Sequence, residues 1–338
     1  MPVKTLIESD FICFIMRKLR YIYGLAFLAM AACSENAPDE SVMNGNIQLG
    51  AVVGELQINS RAVAAPFLSQ DRDTLEAKVW FRNSTGDYKT DNPDAMTNLP
   101  AHTTMKFVGS QMAYAMYKNK NIKYPADNSE VYCIGLYPVS GWDTTEISTV
   151  SHAIDGAADL MFAPEISGNW TGKFPRQEYE HLLTWIKITV CASSHEAIDA
   201  WGTIKQISVN SDSEVKVTLQ TGDCDYGGTS QQIATMSEGV TLTTANHEVG
   251  SVFCSPEKTY TVTVISENKS GETITKTVNL DLNIIDIDKD DEVKPVNDEN
   301  EARGRCFVFS LYFTPYDVIE GECTLNSWSN QYEDIYFK

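Results

Sequence analysis

The sequence predicts an all-β fold: two antiparallel β-sandwich domains in tandem, with one short helix. Three observations predict it. Short runs rich in Val, Ile, Thr, Phe, Tyr and Trp alternate apolar with polar residues, and Asn, Asp, Gly and Pro separate the runs. Only one stretch, Ser193–Trp201, carries helical spacing with capping residues at both ends. The chain has 338 residues, and the 306 that follow its first 32 suit two domains of roughly 150 each. Many short strands are economically packed as one sandwich per half, over residues 46–175 and 176–338.

Residues 1–32 read as an export signal. Arg17, Lys18 and Arg20 form a basic head, Tyr21–Ala32 an apolar run, and Ala31 and Ala32 place small side chains just before Cys33. Twelve residues rise only about 18 Å as a helix, too short to cross a hydrocarbon core that needs about 20 residues. Small residues before a cysteine are the mark of a bacterial lipoprotein signal, so Cys33 is the expected acylated first residue of the exported chain, with an ordinary signal peptide and an incidental cysteine as the alternative. Glu8 and Asp10 are out of place in a basic head, which puts the expected translation start at Met16. Residues 33–45 are short, polar and acidic, as a tether from lipid to fold should be.

The first strand is NIQLGAVVGELQINSRAV. Ile47, Leu49, Ala51 and Val53 alternate with polar or small residues, Gly54 interrupts, and Leu56 and Ile58 resume. It ends at Arg61, a residue that a trypsin-like protease could use, followed by Ala62. Strands are next expected at 77–82, 103–108, 112–117, 131–139 and 160–163. The second half opens with EHLLTWIKITVCA, residues 180–192, apolar on both faces and therefore read as one central strand. The helix follows, with Ser193 and Glu196 as a capping box and Gly202 closing the C-terminus. Alternation returns at 214–220, 240–244, 259–265 and 272–282, the last two joined by the turn Asn268–Gly271. Residues 286–301 read as an acidic loop, and 306–314, 323–328 and 334–337 as the final strands.

The formal charge of −20 becomes −22 once residues 1–32, which sum to +2, are removed. Such a balance argues against nucleic acid and against adhesion to anionic lipid surfaces. Six cysteines follow Cys33, with no CxxC pair among them. Cys306 and Cys323 share an expected hairpin, but a turn near residue 318 would set Cys306 opposite position 330 and Cys323 opposite position 313. Buried thiols acting as small apolar residues are the simpler expectation.

No assembled catalytic or metal site emerges, and no cofactor is expected. His195–Glu196 and His247–Glu248 each begin HExxH, but Asp199 and Ser251 stand where the second histidine is needed. Asp286, Asp288 and Asp290 open like a calcium loop, yet Asp291 replaces the turn glycine and Asn297 the bidentate glutamate, which excludes an EF-hand and leaves a looser calcium site beside the ordinary reading of a solvated acidic loop. There is no GxSxG, GxxxxGK[ST] or GxGxxG. Trp142, Trp170 and Trp185 could form a sugar platform, with core packing as the ordinary alternative.

Several local motifs resemble the fimbrillin-like proteins of Bacteroidetes, which build type V pili. They are Tyr137–Pro138, DLMFA at 159–163, the run Tyr179, His181, Leu182, Thr184, Ile186, Ile188, and the ending LYFTPYDVIEGECTLNSW at 311–328. Tyr179 stands where phenylalanine is more usual. The resemblance spans nearly the whole exported chain, and it implies two transthyretin-like sandwiches and export as a lipoprotein to the outer membrane; an enzyme is not expected, for want of any assembled site. It further implies cleavage after Arg61, so that Ala62 becomes the first residue and the strand carrying Ile47, Leu49, Val53, Leu56 and Ile58 is lost. A strand from another pilus subunit, here Asn330–Lys338, would fill the groove, which is β-augmentation. The implied partners are other pilus subunits, the lipid anchor before processing, and a host or bacterial surface ligand for an adhesive member. Two alternatives stand beside this: Arg61 merely ends a strand and the chain stays anchored, or the chain is a monomeric surface glycan-binding lipoprotein. His181 reads as a packed or hydrogen-bonded strand residue.

Overall fold

The computed structural model describes residues 46–54, 74–83, 88, 102–108, 113–114, 116–117, 120–146, 148–236, 239–286, 292–295, 301–316 and 318–326. The expected signal, tether, cleavage point and C-terminal tail lie outside the described residues.

The first half supplies β1 (Gln48–Leu49), β2 (Ala51–Gly54), β3 (Thr74–Asn83), β4 (His102–Val108), β5 (Ala113–Tyr114), β6 (Met116–Tyr117), β7 (Lys120–Asn121), β8 (Val131–Tyr137), β9 (Thr149–Ala153), β10 (Met161–Gly168) and β11 (Gln177–His181). Six of them form one sheet in the order β2-β11-β10-β8-β3-β4. All neighbours in it are antiparallel except β2 and β11, which run parallel. Both faces of this sheet are covered. Ala77, Val79 and Phe81 of β3 join Val131 and Cys133 of β8 and Met161, Ala163 and Tyr179 in a core that also takes in Ile47, Leu49 and Ala51. Trp80, Ile134, Leu136 and Phe162 point the other way, into a second core shared with the rest of the chain. Strict period-two alternation places these residues, because each strand has one face per core.

The second half supplies β12 (Thr184–Ala192), α1 (His195–Trp201), β13 (Thr203–Ser211), β14 (Glu214–Thr218), β15 (Cys224–Gly227), β16 (Gln231–Ala234), β17 (Val240–Thr241), β18 (His247–Cys254), β19 (Thr259–Glu267), β20 (Thr273–Asp281), β21 (Asn283–Asp286), β22 (Glu292–Pro295), β23 (Cys306–Phe313) and β24 (Ile319–Asn326). Two larger sheets, β18-β12-β23-β24 and β16-β13-β19-β20, enclose the second core. They approach closely at Gly321, where a Cβ would run into the Leu280 side chain. β14 pairs with β15 on one side and with β9 of the first half on the other.

The expected central strand is two strands. β11 ends at His181 in the first sheet, and β12 begins at Thr184 in a sheet of the second half. Leu182 and Leu183 between them are both buried. β12 is central, flanked by β18 and by β23, the latter in parallel register. The helix starts one residue later than its expected cap. The Ser193 amide donates to the Phe313 carbonyl, leaving Ser194 (φ −161°) as the last extended residue, whose hydroxyl accepts from the Ala197 amide. Gly202, at φ 65°, closes the helix as expected. The expected acidic loop holds a strand, β22, paired with β21 from Asn283↔Pro295 to Asp286↔Glu292. In the β23–β24 hairpin Cys306 faces Asn326 and Cys323 faces Phe309, so the register keeps these two cysteines apart.

Candidate functional site

The leading ribbon, residues 46–54, changes partner midway. Its first part leans on the segment before β8: the Ile47 amide donates to the Ile122 carbonyl at 2.7 Å, and Gln48 and Leu49 pair with Tyr114 and Ala113. At Gly50 it crosses over. The Gly50 carbonyl accepts from the Gln177 amide at 2.8 Å, and β2 then runs parallel to β11 from Ala51↔Gln177 to Gly54↔Glu180. A side chain at the crossing would press on Arg176, because a Cβ there would lie 2.9 Å from its Cγ.

Ile47 and Leu49 are 0% exposed, on the face that the alternation assigns to the core. Full burial of such side chains stabilises by about 1.5–3 kcal/mol each. β2 is nevertheless the terminal strand of its sheet, with β11 its one neighbour among the described strands. Removing the ribbon would therefore uncover two things together: the backbone edge of β11 and the apolar slot that Ile47, Leu49 and Ala51 fill.

The floor of that slot is built by β8 and β11. Gln177, Tyr179 and His181 alternate onto the buried face of β11. Gln177 is a buried amide that is satisfied: its Nε2 donates to Cys133 Sγ at 3.6 Å, and its Oε1 accepts from the Tyr179 hydroxyl at 3.1 Å. Burial pushes the Cys133 thiol and the Tyr179 phenol well above their ordinary pKa values, so neither offers an anion for chemistry. The Tyr179 ring occupies the space that a side chain on Gly135 would need.

Three of the four motifs that carry the family resemblance meet at one end of this sheet, while the fourth, residues 311–328, runs along β23 and β24 of another sheet. Met161 pairs with His181 on one side and with Tyr137 on the other, setting DLMFA between the other two motifs. His181 Nδ1 lies 2.7 Å from the Asp159 carboxylate, so the histidine is a hydrogen-bonded strand residue.

Of the residues singled out from sequence, Ile47 and Leu49 lie in the core as described. Val53 lies in β2, in register with Tyr179. Cys33, Leu56, Ile58, Arg61 and Ala62 lie outside the described residues. His195 opens α1 and His247 opens β18, so the two half-motifs share no helical face. Trp142 and Trp185 are core residues, whereas Trp170 is 45% exposed. Sequence reasoning missed Gly50, Ile122, Gly135 and Gln177. Only Gln177 had a readable signal, as the first member of the alternation that Tyr179 and His181 continue.

No protein-family model matches the sequence, and no curated protein does. The fold matches solved structures from Bacteroides. A "putative cell adhesion protein" of Bacteroides uniformis aligns over 84% of this chain and 100% of its own, at a TM-score of 0.52 and 16% identity. A second so described, from Bacteroides ovatus, aligns over 84% and 97% at a TM-score of 0.50 and 14% identity. A weaker likeness, at a TM-score of 0.40 and 10% identity over 83% and 98%, is to the fimbrial anchor protein Mfa2 of Porphyromonas gingivalis. The structural neighbours of this chain are thus Bacteroidetes adhesion and fimbrial proteins, and the all-β sandwich fold expected from the fimbrillin-like resemblance is the fold observed.

Proposed function

We propose that this chain is a non-enzymatic structural or adhesive subunit of a cell-surface fimbrium, polymerised by exchange of its leading strand. The observation that carries the reading is a ribbon whose core residues are fully buried although its second half pairs at a sheet edge. An edge strand has one ladder to break, and its departure leaves unpaired amides and carbonyls beside a dry slot. A strand of matching alternation from a second subunit satisfies both.

In this reading Cys33 is acylated and holds the exported chain at the outer membrane. Cleavage after Arg61, seven residues beyond the end of β2, frees the ribbon and leaves Ala62 as the first residue. The tail Asn330–Lys338 of a neighbouring subunit is the donor. The motif resemblance supports the order of events, and the Bacteroides adhesion proteins of like fold support the setting. Arg61→Ala is the test: polymer ladders should disappear from surface fractions while the thermal unfolding of the monomer stays unchanged. Undiminished ladders in that variant would refute strand exchange by this route.

A further inference from the structure

We propose that Trp170 is the stacking platform of a saccharide-binding site, built by the loops 122–130 and 169–176. Both loops leave the first sheet at the same end, because Gly168, the last residue of β10, pairs with Val131, the first of β8. They are tied together there. Asn128, held at φ 61°, accepts through its Oδ1 from the Thr171 amide at 3.1 Å and from the Thr171 hydroxyl at 3.2 Å. Asn169 closes the turn beneath the indole, its amide donating to the Gly172 carbonyl at 2.8 Å and its Oδ1 accepting from the Thr171 and Gly172 amides.

The ring itself is held from below. Lys173 Nζ lies 4.3 Å from the centroid of Trp170 and 4.8 Å from that of Tyr124, so one ammonium bridges two aromatic faces. Tyr124 stacks on Phe174 at 5.7 Å, and its hydroxyl accepts from the Phe174 amide at 3.1 Å. Phe174 and Tyr124 are both core residues. The indole thus rests on Lys173, which also lies over the core residue Tyr124, and 45% of Trp170 is left in water.

An exposed indole calls for a ligand that matches its surroundings. The same two loops carry hydrophilic side chains: Asp127, Asn128, Ser129, Thr171 and Lys173. One ring is too small for a protein interface, which needs an apolar patch of several hundred Å². It matches a molecule apolar on one face and hydrogen-bonding at its rim, which describes a pyranose. The electropositive C–H face of the sugar meets the negative face of the indole. The hydroxyls at the sugar's rim meet the hydrophilic side chains that the two loops carry.

The proposal is independent of strand exchange: a subunit that polymerises yet binds no saccharide overturns it alone. The test is an array of neutral and uronic-acid-containing oligosaccharides probed with the purified full chain, its hits measured by titration. Affinity should fall about tenfold or more in Trp170→Ala and less in Trp170→Phe. Tyr316→Ala, which removes another exposed aromatic ring, should leave it unchanged. Neutral and acidic members of the array separate a neutral from an acidic saccharide as the ligand. An absence of hits, or hits indifferent to Trp170→Ala in a variant with the parent circular dichroism spectrum, overturns the assignment. So does loss of self-association in Trp170→Ala with no saccharide bound, which would make the indole a docking point for a second copy.

Discussion

Truncating Leu49 to alanine is expected to destabilise the unprocessed chain by about 2–5 kcal/mol and to leave the assembled polymer as stable as before. The first part follows from burial. Leu49 is fully enclosed, and the methyl groups lost leave a cavity among Val79, Phe81 and their neighbours in the first core. The second part follows from strand exchange, because a subunit cut after Arg61 no longer contains residue 49. The two halves are separable by measurement. Urea unfolding of the lipidated monomer should shift to a lower midpoint, while the temperature at which polymer ladders dissolve in detergent should not move. A polymer weakened as much as the monomer would mean that the ribbon is still in place after assembly.

The Gly135→Ala change should weaken both forms, and so it is the control that gives the Leu49 result its meaning. Gly135 lies in the middle of β8, paired with Val79 on one side and Ala163 on the other. A methyl group there would enter the phenol ring of Tyr179, which is fully buried beneath the ribbon and anchored through Gln177. Overpacking of this kind costs about 1–3 kcal/mol. Tyr179 and Gly135 lie on the near side of the exchange, so the cost persists whichever strand occupies the slot. Equal shifts in monomer and polymer midpoints are expected for Gly135→Ala. An unchanged monomer would show that Tyr179 swings aside without penalty and that the floor of the slot is softer than its geometry implies.

Where sequence reading succeeded and where it stopped has one physical cause. Strands whose alternation is unbroken, such as Thr259–Glu267 and Thr273–Asp281, are legible, because period two is the signature of one buried face. Three long strands depart from the expected bounds at a register shift, whereas β24, expected from 323, starts at Ile319 in an unshifted register. β10 reads as ending at Ala163 and continues to Gly168 past a shift between Ala163 and Ile166. β13 hides its alternation behind a shift between Ile204 and Gln206, after which Ile207 and Val209 resume it. β18 meets β12 across an irregularity at Ile188/Thr189, next to Gly250, where a Cβ would strike the Thr235 carbonyl. An extra residue in one strand reverses the faces of all that follow, so a fixed-period reading loses the strand at that point.

The candidate site was legible in part for a related reason. Ile47 and Leu49 announce a buried face by their own spacing, as the structure confirms. Gly50, Ile122 and Gln177 hold the ribbon through main-chain groups or through partners far along the chain, and no local pattern marks them. The parallel pairing of β2 with β11 joins residues more than 120 positions apart, which only the assembled sheet brings together. Trp170 has the same character. Its sequence context marks it no differently from Trp142 and Trp185, and its exposure comes from the bonds between two distant loops.

The most direct measurement is the N-terminus of the subunit inside the polymer, read by mass spectrometry of purified surface fibres. The account predicts chains that begin at Ala62 and lack residues 33–61. Fibres built of chains that still begin at the acylated Cys33 and keep the ribbon would contradict it.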